Sequence, residues 1–240
     1  MNLKKISDRV LFALSVPECV CCGKKLDYEN KALCPKCSEI YLDHKLRNCS
    51  KCSKILMECD CSNEFLSSHF VKRVVKCFRY MKQPSAEPSN RLIYSLKRDN
   101  RADVLDFCSD ELTLALRNSV DLSEDVIITN VPRRKGAIIE FGIDHSALLA
   151  RKVAEKTGTK YMPLLESNTK KAQKSLDSID RMKNAKFEIK KEADLSGKTV
   201  IIIDDIITSG ASMAMAASLI RSMGSHNIIA GALGIVYKED

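Results

Sequence analysis

The stretch Val200-Ile-Ile-Ile-Asp204-Asp205-Ile-Ile-Thr208-Ser209-Gly210-Ala211-Ser212 sets two adjacent carboxylates between an apolar run and a cluster of small, hydroxyl-bearing residues. Four apolar residues running into the acids predict a buried parallel strand, Lys198–Asp204, that ends at a site. Thr208, Ser209, Gly210, Ala211 and Ser212 then precede a helical run to Met223. A strand, a tight loop and a helix N-terminus form a phosphate cradle, because unpaired backbone N–H groups and the helix dipole converge there. Adjacent carboxylates before that cradle suit a vicinal diol with Mg²⁺ nearby. Phosphate and diol together describe a ribose 5-phosphate group.

A second chemical cluster is made of cysteine. Of eleven cysteines, eight form four close pairs within 43 residues: Cys19 with Cys22, Cys34 with Cys37, Cys49 with Cys52, and Cys59 with Cys61. A CxxC pair lets both sulfurs reach one ion, and two such knuckles close a tetrahedral shell of thiolates. Gly23 follows Cys22 where a knuckle needs a permissive backbone. The segment is poor in bulky apolar residues, so metal or crosslinks are needed to fold it. Two structural Zn²⁺ ions are expected, the second in a tighter shell because its last pair is CxC. Each four-thiolate centre carries −2, which lowers the formal charge from +8 to about +4. Cys21 is expected inside the knuckle, and Cys77 and Cys108 in apolar core.

The elements that must position these groups follow from periodicity. Residues 1–16 read as a short helix, 17–66 as a double zinc-ribbon module, and 70–240 as an α/β domain. Phe70–Tyr80 alternates apolar and basic residues, as a strand or hairpin edge does. Residues 83–89 are a loop by composition. Two helices follow, around Leu92–Leu96 and Ala102–Leu116, separated by Lys97-Arg98-Asp99-Asn100-Arg101. Asp125–Val131 is expected as a strand, Ser146–Lys156 as a helix stopped by Gly158, Lys160–Leu165 as a short strand, and Asn227–Tyr237 as the last strand. Lys170–Asn184 is polar and is expected as a loop or surface helix. Strands alternating with helices imply a parallel sheet with flanking helices and right-handed crossovers. Ligands bind beyond the carboxyl ends of such strands. Pro132-Arg133-Arg134-Lys135-Gly136 falls at that edge, and its three cations suit a pyrophosphate group.

Composition narrows the function classes. The chain has 45% hydrophobic and 29% charged residues, so disorder is not the default. No apolar run approaches the ~18 residues of a membrane span, and a cytoplasmic location is expected. Tryptophan is absent, which disfavours readout by stacked bases. Positive charge concentrates in residues 71–102, with nine basic and two acidic residues, and in residues 133–191, with fifteen and seven. A polyanionic ligand or a nucleic acid strand fits such a surface.

The Val200–Ser212 string resembles the signature of the type I phosphoribosyltransferases. The resemblance implies that Asp204 and Asp205 contact the ribose hydroxyls of phosphoribosyl pyrophosphate, and that Thr208–Ser212 hold its 5-phosphate. A lone Asp-Asp after a strand would fit any doubly wound sheet; the whole string in register is more specific. Over nearly all 240 residues the chain resembles the ComF (competence protein F) family, which sets a zinc-binding module before a phosphoribosyltransferase fold. Further matches are Leu11 through Pro17 into Cys19, Leu92-Ile93-x2-Leu96-Lys97, Val131-Pro132, and Gln173-x2-Leu176-x4-Arg181-x2-Asn184-x2-Phe187. Where that family has Arg-Gly-Phe-Asn/Asp-Gln, this chain reads Glu140-Phe141-Gly142-Ile143-Asp144-His145, and His145 reads as a helix-start residue with nothing nearby to pair with it. The resemblance implies a protein of natural competence that binds phosphoribosyl pyrophosphate and handles single-stranded DNA beside a DNA-uptake helicase. The alternative is an active, Mg²⁺-dependent phosphoribosyltransferase of nucleotide metabolism, similar to an amidophosphoribosyltransferase.

Overall fold

The computed structural model describes residues 16–27, 32–49, 52–59, 61, 64–80, 87–122, 125–134, 136, 138–139, 142–167 and 187–236. The expected N-terminal helix therefore lies outside the described residues except at Val16. The polar stretch 170–184, Lys135 and Phe141 lie outside them entirely.

Five strands form one parallel sheet: β1 (Val71–Arg79), β2 (Val126–Asn130), β3 (Lys160–Tyr161), β6 (Thr199–Ile207) and β7 (Asn227–Ile235), in spatial order β1-β7-β6-β2-β3. A separate antiparallel pair joins β4 (Leu165–Ser167) to β5 (Phe187–Ile189). The central strands are apolar on both faces because helices cover both faces. Ile201 and Ile203 pack into one layer with α3 (Pro88–Arg98), α4 (Ala102–Ser119) and α5 (His145–Thr157). Val200 and Ile202 pack into the other with α6 (Ala211–Ser222). On that second face Ala214, Ala216 and Ala217 are fully buried, so small side chains let α6 lie close to the sheet. The sheet is equally tight at Gly231 of β7, where a Cβ would come within 2.7 Å of Ile203 Cδ1.

Two sequence expectations change at strand ends. Lys160–Leu165 is not one strand. Its first two residues pair with β2 and its last begins β4, because Pro163 between them has no N–H for the ladder. The central strand does not stop at Asp204. Ile206 and Ile207 go on pairing with Gly234 and Ile235 of β7, so both acids lie within the strand. The Ser146–Lys156 helix instead starts at His145, capped by Asp144 Oδ1 accepting from Ala147 N at 3.0 Å. Gly158 ends it in the left-handed region, as its position predicts.

The cysteine-rich segment packs against this sheet. Its helix α1 (Pro35–Lys45) starts with Cys34 as N-cap. A one-turn helix, α2 (Glu64–Ser67), precedes β1. Cys19, Cys34, Cys37 and Tyr41 share one buried cluster with Phe78, Leu92 and Leu96. Tyr41 and Lys45 both donate to Glu111 of α4, at 2.6 and 2.5 Å, which fastens α1 to the helix layer on that face of the sheet. Cys77 and Cys108 are core residues, as expected.

Candidate functional site

The sheet order creates a divergence between β2 and β6. From β2 the chain passes through α5 to β3 on one side, whereas β6 and β7 extend on the other. Connections leaving in opposite directions open a crevice at the carboxyl ends of the two strands. The last ladder pair is Asn130 with Ile203, and Val131 N donates to Ile203 O at 2.9 Å. Beyond it β6 runs on beside β7 alone, so Asp204 and Asp205 are carried past the end of β2 into the crevice.

The two carboxylates have different environments. Asp205 is 5% exposed and is held by two cations, Lys97 Nζ at 3.1 Å and Arg133 Nη2 at 3.4 Å. Asp204 has no cation in contact among the described residues. Its Oδ1 accepts from Ser146 Oγ at 3.0 Å and from Asp205 N at 2.8 Å. Burial, followed by the negative charge of Asp205, pushes the Asp204 carboxyl up to about 7. The pair is thus split into one acid held by two cations and one whose carboxyl is poised near neutral pH.

His145 does have partners, contrary to the expectation from sequence. Its Nδ1 accepts from Arg133 Nη1 at 2.9 Å, and its Nε2 donates to Asn100 Oδ1 at 2.9 Å. An arginine only donates, so this geometry fixes the Nε2–H tautomer. Burial and the Arg133 guanidinium both lower its pKa, which keeps the ring neutral. Asn100 adopts φ +49°, a left-handed conformation that asparagine tolerates better than most residues. Asn100, His145, Arg133, Asp205 and Lys97 therefore form one continuous chain of contacts across the crevice.

The loop after β6 leads directly into α6. Thr208, Ser209 and Ser212 are exposed, Gly210 is buried, and Ala211 opens the helix. Gly210 is the N-cap at φ +82°, and no side chain caps the helix. Ser209 Oγ accepts from Ala211 N at a long 3.4 Å. The first turn of α6 thus lies just beyond the strand that carries the acids, and its amides offer donors to an anion. Of the basic loop, Arg133 turns inward onto Asp205 and His145, Arg134 is exposed, and Lys135 is outside the described residues.

Comparison with known proteins bears on this arrangement. Residues 143–234 match the family model described as "Phosphoribosyl transferase domain". The match spans Asp144–Ser146, the acid pair and the loop to Ser212. The fold is that of the type I phosphoribosyltransferases. Two curated relatives are ribose-phosphate pyrophosphokinases. That of Thermococcus kodakarensis is 31% identical over 90 residues, 38% of this chain and 28% of the relative. That of Pyrococcus abyssi is 34% identical over 90 residues, 38% of this chain and 27% of the relative. The chain therefore spans little more than a quarter of each relative's length. Among solved structures, a purine phosphoribosyltransferase from Pyrococcus horikoshii Ot3 aligns at 19% identity and TM-score 0.36, over 55% of this chain and 72% of its own.

In front of the phosphoribosyltransferase-type domain, the cysteines gather into two groups, Cys19-Cys22-Cys34-Cys37 and Cys49-Cys52-Cys59-Cys61. In each group the four sulfurs lie within 4.8 Å of one another. No disulfide joins any of the eleven cysteines. Cys22 and Cys34 sulfurs stand 3.7 Å apart, close to the ~3.8 Å edge of a tetrahedron with 2.3 Å metal–sulfur bonds. The knuckles repeat each other in backbone detail. Cys19 N donates to Lys24 O and Gly23 N to Cys19 O; Cys49 N donates to Lys54 O and Ser53 N to Cys49 O. Gly23 at φ +74° and Ser53 at φ +58° occupy the same turn position. Each group could hold one metal ion and is compatible with zinc.

Lys97, Asn100, Ser146 and the paired state of His145 are the site residues that the sequence pattern misses. The signal available was the polar run Lys97–Arg101 between two helices, at a point where a solvated turn explains it equally well. Only the folded sheet brings that turn over the ends of β2 and β6.

Proposed function

We propose that this protein binds phosphoribosyl pyrophosphate at the β2–β6 crevice, with two structural zinc ions in its cysteine module. The observation that carries the reading is the coincidence of the phosphoribosyl transferase match over 143–234 with a carboxylate pair set beside an uncapped helix N-terminus at a sheet divergence. Asp204 and Asp205 accept from the ribose 2- and 3-hydroxyls. Thr208, Ser209, Gly210, Ala211 and Ser212 surround the 5-phosphate. Arg133, with Arg134 and Lys135, faces the pyrophosphate. The ligand carries Mg²⁺, which screens the pyrophosphate charge. In a transferase reaction the C1–oxygen bond would break with the electron pair leaving on pyrophosphate, an acceptor nucleophile would form the new bond to C1, and the positive charge growing on the ribose between these events would be stabilised by the carboxylates.

The finer reading is a ComF-type, cytoplasmic protein of natural competence that handles single-stranded DNA beside a DNA-uptake helicase. The pair of cysteine groups ahead of the transferase-type domain favours it, since transfer to a small molecule has no evident need of them. Two of the basic residues available to DNA are already engaged: Lys97 with Asp205, and Arg101 with Asp103 at 2.6 Å. Among the described residues no helix is long and apolar enough to cross a membrane.

Titration calorimetry with Mg²⁺–phosphoribosyl pyrophosphate, run beside fluorescence anisotropy with a single-stranded oligonucleotide, separates the readings. Saturable heat at one site per chain is expected from the first. Its absence would leave the crevice as a purely structural feature. Oligonucleotide binding that weakens steeply with salt supports the DNA role, and no binding at low salt removes it.

The binding should also depend on pH. An ionised Asp204 is the stronger acceptor for a ribose hydroxyl, so affinity is expected to rise as pH increases from about 6 to 8, through its value of about 7. Stability runs the other way. The folded chain holds the Asp204 proton that the unfolded chain releases near the ordinary carboxylate value of 3.8, so this contribution is lost as pH rises towards about 7. Calorimetry at several pH values, with Asp204→Asn as the non-titrating control, checks the first statement. A wild-type pH profile identical to that of the variant would refute it.

A further inference from the structure

Lys76 sits in the middle of β1 with no exposed surface, in a strand that alternates apolar and basic residues. Its Nζ donates to the backbone carbonyls of Cys59 at 2.6 Å and Cys61 at 2.7 Å, two members of the second cysteine group. The other fully or nearly buried lysine among the described residues, Lys45, is neutralised by Glu111 at 2.5 Å. Lys76 has no carboxylate partner among the described residues. Two carbonyls satisfy two of its three donors, yet they are neutral and leave a full positive charge out of water. Such a charge is retained in proteins where an opposite charge compensates it.

A metal ion held by four thiolates supplies that compensation. Zn²⁺ with four thiolates carries a formal −2, buried against the same carbonyls that Lys76 grips. The first cysteine group packs in the apolar cluster with Leu26, Leu33 and Tyr41, and no buried lysine donates to its carbonyls among the described residues. The two groups, alike in their knuckles, thus differ in how their charge is met. Lys76 also belongs to the sheet: it lies opposite Ala232 of β7, which on its other side lies opposite Asp204 of β6. The cation at the second cysteine group and the acid at the crevice occupy one cross-strand row.

We propose that Lys76 is the countercharge of the second metal centre, so that metal binding at Cys49, Cys52, Cys59 and Cys61 and the seating of the edge strand β1 are thermodynamically one event. The proposal rests on reading that cysteine group as a zinc site. Zinc loss there leaves Lys76 buried with no countercharge among the described residues, and β1 is the element that loosens. Loss of zinc from the first group has no such consequence for β1.

The test uses the full chain with zinc in both groups and a chromophoric zinc chelator as competitor. Wild type is expected to release two zinc equivalents, and Cys52→Ser identifies which belongs to the second group. Lys76→Met and Lys76→Gln should each weaken the second zinc by at least about tenfold and leave the first unchanged. Lys76→Gln keeps hydrogen-bond donors without the charge, so wild-type zinc release in that variant would overturn the proposal. Urea unfolding supplies a readout that does not require the zinc-loaded variant to fold well. Lys76→Met should destabilise the zinc-loaded protein but stabilise the Cys52→Ser protein, where the buried cation has lost its partner. The same sign in both backgrounds would overturn the proposal. A wild-type content of one zinc that Cys52→Ser does not lower would instead remove the second centre itself, and the proposal with it, while leaving the phosphoribosyl pyrophosphate reading untouched.

Discussion

Cys34→Ser is expected to unfold the first cysteine group and to reduce the zinc content from two equivalents to one. Cys34 is both a member of the shell and the N-cap of α1, and it is 4% exposed. A serine hydroxyl stays protonated at neutral pH and does not replace a thiolate. Three ligands cannot close a structural shell, and binding of structural zinc, on the order of 10 kcal/mol, is what holds such a module folded. The loss spreads because the module has no core of its own. Tyr41, Leu26 and Leu33 are buried in the cluster that also contains Phe78, Leu92 and Leu96. Exposing three such side chains costs roughly 1.5–3 kcal/mol each, so the melting temperature of the whole chain should fall. Elemental analysis of protein purified without chelator, together with a thermal melt, checks this. Two zinc equivalents retained in the variant would show that Cys34 is not a ligand.

What the sequence makes legible is what lies close together in it. The cysteine groups are readable because each shell is built from pairs with only one or two residues between them, and the fold brings those pairs together as their spacing implies. The acid pair and the loop Thr208–Ser212 form a contiguous string, with a parallel strand before it and a helix after it. Strand ends are less legible. Apolar periodicity does not say where a neighbouring strand stops, and it is the end of β2 opposite Ile203 that exposes the acids while β6 continues to Ile207. Pro163 did carry a readable break, since proline cannot donate to a ladder.

Residues brought in from other elements are not legible at all. Lys97 and Asn100 come from the turn between α3 and α4, and Ser146 and His145 from the start of α5. Each has an adequate local explanation as a solvated cation, a turn residue or a helix-start residue. Lys76 is the sharpest case. In Phe70–Tyr80 the alternation of apolar and basic residues favours an outward lysine, yet the Cys59 and Cys61 carbonyls cover that position and turn it into buried interior. Local pattern reports the average environment of a residue type, whereas burial of a charge depends on one specific long-range partner.

Replacing both acids, Asp204→Asn with Asp205→Asn, is expected to weaken Mg²⁺–phosphoribosyl pyrophosphate by more than about 100-fold while the sheet stays folded. Each ribose hydroxyl loses a charged acceptor, a hydrogen bond worth about 1.5–3 kcal/mol. Two such losses correspond to a factor of roughly 10²–10⁴ in affinity. The fold tolerates the change because an amide oxygen at position 204 still accepts from Ser146 Oγ and from the next backbone N–H, the contacts that Asp204 Oδ1 makes now. The repulsion between adjacent carboxylates disappears as well. Asn at 205 leaves Lys97 and Arg133 without their carboxylate, but their side chains are 32% and 19% exposed and can turn toward water. Asp204→Asn alone imitates the protonated acid and should bind at every pH as wild type does below pH about 7. Calorimetry measures the affinities, and circular dichroism with a thermal melt confirms the fold. If the folded double variant binds as tightly as wild type, the acids serve the crevice structurally and the ligand's ribose lies elsewhere.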